Sequence, residues 1–342
     1  MRAFMRVLGA ACLAASTAVA QAGSGASQLP GQRPAAPDGL YDALVAAAAA
    51  RAGPSPSPSP SPSPSPGAPA APSCEAALQL PWGPIRTCRT AIAAGSVAAS
   101  AAVSVAAWWS QGFTSEFSVA SEGWFGKDTY AGGIDKLGHA FSFYLATRLG
   151  TRALGWAQVP QQEAVRMAAG VAFGFGLGVE ILDGLSRSGQ YGFSWQDLAM
   201  NTLGIGLGAA MESYPALDRY FAFRWMYSPA GRKDSWYDHH TYLLALRLSG
   251  FEAIGPDNPL RYVELVAGYG AKGFRSDFDY SQEDLRRRSV YVGVALDLTE
   301  LLERTVFTGS ARGGTAHRWT TEALRYVQPP GSAAAWSRTW RP

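Results

Sequence analysis

Residues 132–208 read GGIDKLGHAFSFY at their start (132–144), GVAFGFGLGVEILDG in their middle (170–184) and SWQDLAMNTLGIGLG at their end (194–208). Each of these apolar, glycine-rich segments carries acids or amides where a plain core helix would carry leucine. The spacings suit helices, because residues three or four apart share a face. Asp135 and His139 are i,i+4, Glu180 and Asp183 are i,i+3, and Asp197 and Asn201 are i,i+4. Gly170, Gly174 and Gly178 repeat every four residues, as do Gly204 and Gly208, and small residues at that period let helix backbones approach closely. Apolar helices are therefore expected near 134–156, 164–186 and 195–213, with their polar groups meeting across a tight interface.

The order DKxxH, then an apolar run ending in ExxD, then SxxDLxxN followed by two glycines resembles the YfiM-like family of predicted periplasmic lipoproteins of unknown function. It is more distantly similar to the VanZ-like membrane proteins. The likeness covers residues 130–210, under a third of the chain, and implies a cell-envelope location and a small helical core without an established activity. Members of that family are often lipoproteins; here Cys12 follows Gly9, Ala10 and Ala11, with too short an apolar region before it for a convincing lipidation signal.

The bulk numbers narrow the choices. A net charge of +3 with 16% charged residues gives no basic stripe of the kind that binds nucleic acid. The first residues, MRAFMR and then VLGAACLAASTAVA, follow the pattern of a cleaved secretory signal over 1–20, so the mature chain is expected to start near Gln21. Export leaves Cys74 and Cys88 as an even pair in an oxidising compartment, where a disulfide would contribute about 3 kcal/mol in the chain-entropy model. Residues 21–72 are rich in Pro, Ser and Ala, and PSPSPSPSPSPSP from Pro54 to Pro66 reads as a disordered, extended linker.

Beyond it the sequence predicts an α+β chain. A helical core over 73–228 holds a bundle of about four apolar helices, a small antiparallel β region occupies 229–329, and 330–342 forms a loose tail. The first helix is the uncharged stretch from Thr90 to Trp109, which fits a membrane span ending in interfacial tryptophans. Charges in the later segments, among them Asp135, Lys136, Arg148 and Arg152, favour a water-soluble or surface-lying helical bundle instead, and between the two readings the expectation is membrane association without complete spanning. DRYFAFRWMYS (218–228) is aromatic and basic, as at a membrane interface. Strands are expected at 237–248, at 260–269 and, from period-two alternation, at 290–298, with a short helix over 298–307.

Four acids in the glycine-rich segments, Asp135, Glu180, Asp183 and Asp197, are too many to bury without compensation. Three readings stand side by side. In the first, Lys136, His139, Ser194 and Asn201 complete an interhelical polar lock, with Ser194 or a neighbour capping the third helix. In the second, a divalent metal sits between His139, Asp135, Glu180 and Asp183, and its water attacks an ester of an envelope lipid or glycan, with Asp197 as base. In the third, Lys136, Arg148 and Arg152 bind an anionic lipid headgroup without chemistry. The expected partner is a membrane lipid or another envelope component, after signal cleavage and in the periplasm.

Overall fold

The computed structural model describes residues 109–156, 159–187, 192–228, 236–274 and 284–341, with 78–80, 83–85, 95, 101–102 and 104–105 ahead of them. The expected signal, linker and Cys74–Cys88 pair lie outside the described residues, as does most of the 90–109 stretch.

Three long helices arise where the apolar, glycine-rich segments are: α1 (Ile134–Trp156), α2 (Gln161–Gly184) and α3 (Trp195–Ser213). A short hairpin, β1 (Leu78–Leu80) with β2 (Gly83–Ile85), precedes them. A tight turn launches α1: Ala131 (φ 46°), Gly132 (φ 65°) and Gly133 (φ 83°) all sit in the left-handed region, which side chains other than glycine adopt at a cost. The turn also joins the two halves of the fold, because the Tyr269 hydroxyl donates to Gly132 O at 2.5 Å.

Helix α3 packs on α1 through glycine. A Cβ on Gly204 would lie 2.0 Å from Ala140 O, and one on Gly208 would lie 2.8 Å from Tyr144 O. On α2 the expected register of Gly170, Gly174 and Gly178 is not the contact face: Gly174 is exposed and Gly178 meets open space. Gly176, against the Phe143 ring, and Gly184, against Phe117, are the close positions instead. By length and composition α2 could cross a membrane; here its inner face packs through Val171 and Ala172 against Phe143 and Ile205.

After a one-turn helix, α4 (Pro215–Tyr220), the chain enters a five-stranded antiparallel sheet in sequence order: β3 (Phe221–Tyr227), β4 (His240–Arg247), β5 (Val263–Lys272), β6 (Arg287–Leu296) and β7 (Ala333–Trp340). Helices α5 (Leu298–Thr305) and α6 (Thr315–Tyr326) fill the connection before β7. Two expectations are corrected. Most of 218–228 is strand β3 rather than an interfacial helix, because Phe221, Phe223, Trp225 and Tyr227 alternate with smaller or polar residues that face the other side. The tail past Pro329 is not loose but forms β7, paired along β6 from Ala333 opposite Ala295 to Trp340 opposite Arg288.

Helices and sheet share one core. Phe141 and Tyr144 of α1 meet Phe223 and Tyr242 of the sheet with ring centroids 5.4–5.6 Å apart, and Met200, Met211, Trp225 and Tyr326 join them. Two buried cations bolt this arrangement. Arg148 of α1 donates to Glu212 (2.7 Å) and to the Tyr144 hydroxyl (2.8 Å) and pairs with Asp218 (2.6 Å), while Arg152 pairs with Glu212 and Glu322. On the inner face of the sheet, Arg224 reaches Glu264 (2.7 Å) and Gln328 (2.6 Å).

Substituting Gly204→Ala should destabilise the fold by about 1–3 kcal/mol through overpacking. Gly206→Ala, where nothing lies within 4 Å, should be neutral or stabilising by up to about 1 kcal/mol. Urea unfolding of the two variants, on the same helix two residues apart, checks the close approach directly.

Candidate functional site

The polar residues of the three helices gather at one end of the bundle, where a further segment is laid across them. Residues 112–120 bond in extended form along the α2–α3 connection: Thr114 N–H donates to Leu185 O (2.8 Å), Ser118 N–H to Gly184 O (2.8 Å) and Ala120 N–H to Phe193 O (2.9 Å). That path carries Glu122 to the cluster. At the start of the same segment, the Trp109 indole N–H donates to Asp183 Oδ1 at 2.7 Å.

Lys136 is the centre. Its ammonium is fully buried, lies 2.8 Å from Asp135 and 2.8 Å from Asp197, and also pairs with Glu122. Around it a chain of hydrogen bonds links the helices: His139 Nδ1 to Asn201 Oδ1 (2.9 Å), Asn201 Nδ2 donating to Glu180 Oε1 (3.3 Å), and Ser194 N–H donating to Glu180 Oε2 (3.2 Å). Ser194 caps α3, its hydroxyl accepting from Asp197 N–H at 3.2 Å. The imidazole of His139, 31% exposed, lies 3.7 Å from Asp197 and is the cluster's most accessible ring. Of the eight residues singled out in the sequence, Asp135, Lys136, His139, Glu180, Ser194, Asp197 and Asn201 are linked to one another, and Asp183 is held by Trp109.

Sequence reasoning missed Glu122, which comes from an irregular segment with no period to read and whose one hint was a surplus of acids over nearby cations; Trp109, expected as the interfacial end of a membrane span, is bonded to Asp183. Arg148 and Arg152, expected as headgroup ligands, are instead engaged by Glu212, Asp218 and Glu322. Lys136 is enclosed as well.

Electrostatics follow from that enclosure. Burial pushes Glu122 and Glu180 each up to about 7 and also raises Asp135 and Asp183. Burial alone would lower Lys136, but Asp135 and Asp197 outweigh it and hold the ammonium charged. Burial would likewise raise Asp197, yet His139 and Lys136 hold it below the usual carboxylate range. His139 is raised, burial being overcome by Asp197, Glu180 and Asp135.

Metal chemistry can be judged on these groups. Among the described residues, the acids able to converge on one ion are Glu122, Asp135 and Asp197, with ligand oxygens within 4.8 Å of one another. Of the four expected ligands only Asp135 belongs to that set. His139, Glu180 and Asp183 are turned to Asn201, Ser194 and Trp109. The three converging carboxylates surround the ammonium of Lys136.

Residues 121–213 match the family described as Predicted periplasmic lipoprotein (DUF2279). The match spans Glu122, the Lys136 cluster and all three helices, and agrees with the first of the two resemblances drawn from the motifs; the VanZ-like similarity gains no support. No curated protein and no solved structure matches the chain.

Replacing Lys136 with Met should cost about 3–5 kcal/mol at neutral pH, because three carboxylates then face one another unpaired. Part of that loss should return in mild acid, where they take up protons, as measured by urea titration at several pH values. A second expectation concerns wild-type stability. A carboxyl whose folded pKa is raised supports the fold fully below its unfolded value and loses that contribution as pH rises through the folded one. Glu122 and Glu180 should therefore make stability fall between pH 4.5 and about 7, and the raised His139 continues the trend above 6.5. Asp197 acts oppositely, at pH below 3.8. Glu180→Gln should flatten the fall by on the order of 3 kcal/mol.

Proposed function

We propose that this chain is a cell-envelope protein of the periplasm that binds a membrane lipid or another envelope component without turning it over. In this reading the cluster centred on Lys136 is an interhelical lock that fixes the shape of the bundle. The observation that carries it is the position of one atom: the Nζ of Lys136 stands among the three carboxylates that could otherwise gather a metal. The cation those carboxylates call for is thus supplied by the chain itself. The description of the family matched by residues 121–213 supports the location.

The alternative, a divalent-metal-dependent hydrolase acting on an envelope lipid or glycan, draws on the same convergence of Glu122, Asp135 and Asp197, with His139 at the accessible edge. Elemental analysis and calorimetric titration with Mn(II), Zn(II) and Mg(II) separate the two. The lock predicts no stoichiometric metal in the purified wild type, and a gain of divalent-cation affinity in Lys136→Met, where the carboxylates lose their ammonium. Stoichiometric metal in the wild type that disappears in Asp135→Asn would replace the lock with the hydrolase.

A further inference from the structure

The sheet has two unlike faces. Its inner face carries small or ion-paired side chains: Ala222, Ala245, Val266 and Ala295 are buried, beside the Arg224–Glu264 pair. The outer face meets α1 at one end, through Phe223, Trp225 and Tyr242. Toward the other end it is bare. The strand register aligns Leu244, Ala267, Val292 and Trp336 in one row across β4–β7, and Leu246, Leu265, Val294 and Ala334 in the next. Leu244, Leu265, Val292, Val294, Leu296 and Trp336 are each between 44% and 69% exposed. A contiguous apolar surface of this kind is uncommon on a protein bathed only in water.

Charge identifies what covers it. On the same face Arg338 stands beside Trp340, its guanidinium 5.4 Å from the ring centroid, and Arg288 lies opposite Trp340 on β6. Lys272, Arg287 and Arg341 close the same end of the strands. Among the described residues none of these five cations has a carboxylate within ion-pair distance, unlike Lys136, Arg148 and Arg224. Apolar side chains bordered by tryptophan and by arginines without an ion-pair partner, of which Arg288 also donates to Phe125 O at 2.9 Å, match the layers of an anionic bilayer surface, where indoles sit at headgroup depth and cations meet phosphates.

We propose that the outer face of the sheet docks on an anionic phospholipid bilayer, with Leu244, Leu265, Val292, Val294 and Trp336 entering the acyl boundary and Arg288 and Arg338 meeting the headgroups. This rests on the envelope reading above and supplies its partner. The test is flotation of the purified full chain with vesicles of phosphatidylglycerol and phosphatidylethanolamine, against vesicles of phosphatidylcholine alone. Binding should favour the anionic vesicles and weaken with salt. Val292→Ser with Trp336→Ser should reduce it by about tenfold or more, and Arg338→Glu should remove the anionic preference. Both positions face solvent, so the melting temperature should not change; a substituted chain that no longer melts cooperatively is replaced by Val294→Ser, read in the same assay. Unaltered flotation of folded substituted chains overturns the proposal. So does a concentration-dependent dimer, seen by sedimentation, that the substitutions dissolve while flotation is unaffected, since the face then covers a second copy. Cell fractionation tests the envelope reading separately: a cytoplasmic chain that still floats would sink that reading and spare the surface.

Discussion

An ammonium ion taken out of water costs several kcal/mol unless charge and hydrogen bonds replace its hydration shell. Lys136 receives that replacement from three parts of the chain: Asp135 on its own helix, Asp197 in the first turn of α3, and Glu122 on the segment leading into α1. None of these is effective unless the others are in place, because removing one leaves buried charge unbalanced. The helices around it meet through Phe141, Phe143, Tyr144, Met200 and Ile205 and through close contacts at Gly204 and Gly208. The ion cluster adds directional contacts to that packing.

Arg148 and Arg224 repeat the device. Arg148 joins α1 to Glu212 of α3 and Asp218 of α4, and Arg224 joins β3 to β5 and to Gln328 beyond α6. Each buried cation stands where separate elements meet. Buried ion pairs add little net stability over a well-packed apolar equivalent, but a misdocked element would strand a charge. That penalty suits a chain whose two layers share a single core yet come from distant stretches of sequence.

The three long helices were legible because length, period and the SxxD cap point the same way; helical spacing with the glycine repeats placed His139, Glu180, Asp183, Asp197 and Asn201 together, and of these Asp183 is held by Trp109 while the other four are linked to one another. Strand β6 was legible from alternation. Strand β3 was not, although Phe221, Phe223, Trp225 and Tyr227 alternate cleanly, because Arg224 between them suggests a wet surface until its partner Glu264 is known. Strand β7 has Ala on both faces at its start, which erases the period, and it gains its order from β6. Glu122 was hidden for a related reason: an irregular segment has no pattern, and its place is set by bonds to Leu185, Gly184 and Phe193. The lock reading rests on where Nζ of Lys136 lies, a matter of side-chain reach that spacing does not encode.

The route taken by residues 109–122 bears on how the core would respond to force. This segment enters from the N-terminal side and lies along the α2–α3 connection before delivering Glu122 to Lys136, with Trp109 fastened to Asp183 at its outer end. A pull on the chain upstream of Trp109 is therefore met first by the indole bond, then by a row of backbone bonds to Leu185, Gly184 and Phe193, and only last by the ion cluster. The bolt of the bundle sits behind a zipper that opens one tooth at a time, so tension on the leading chain would be spent peeling the strap before any of it reached the ammonium.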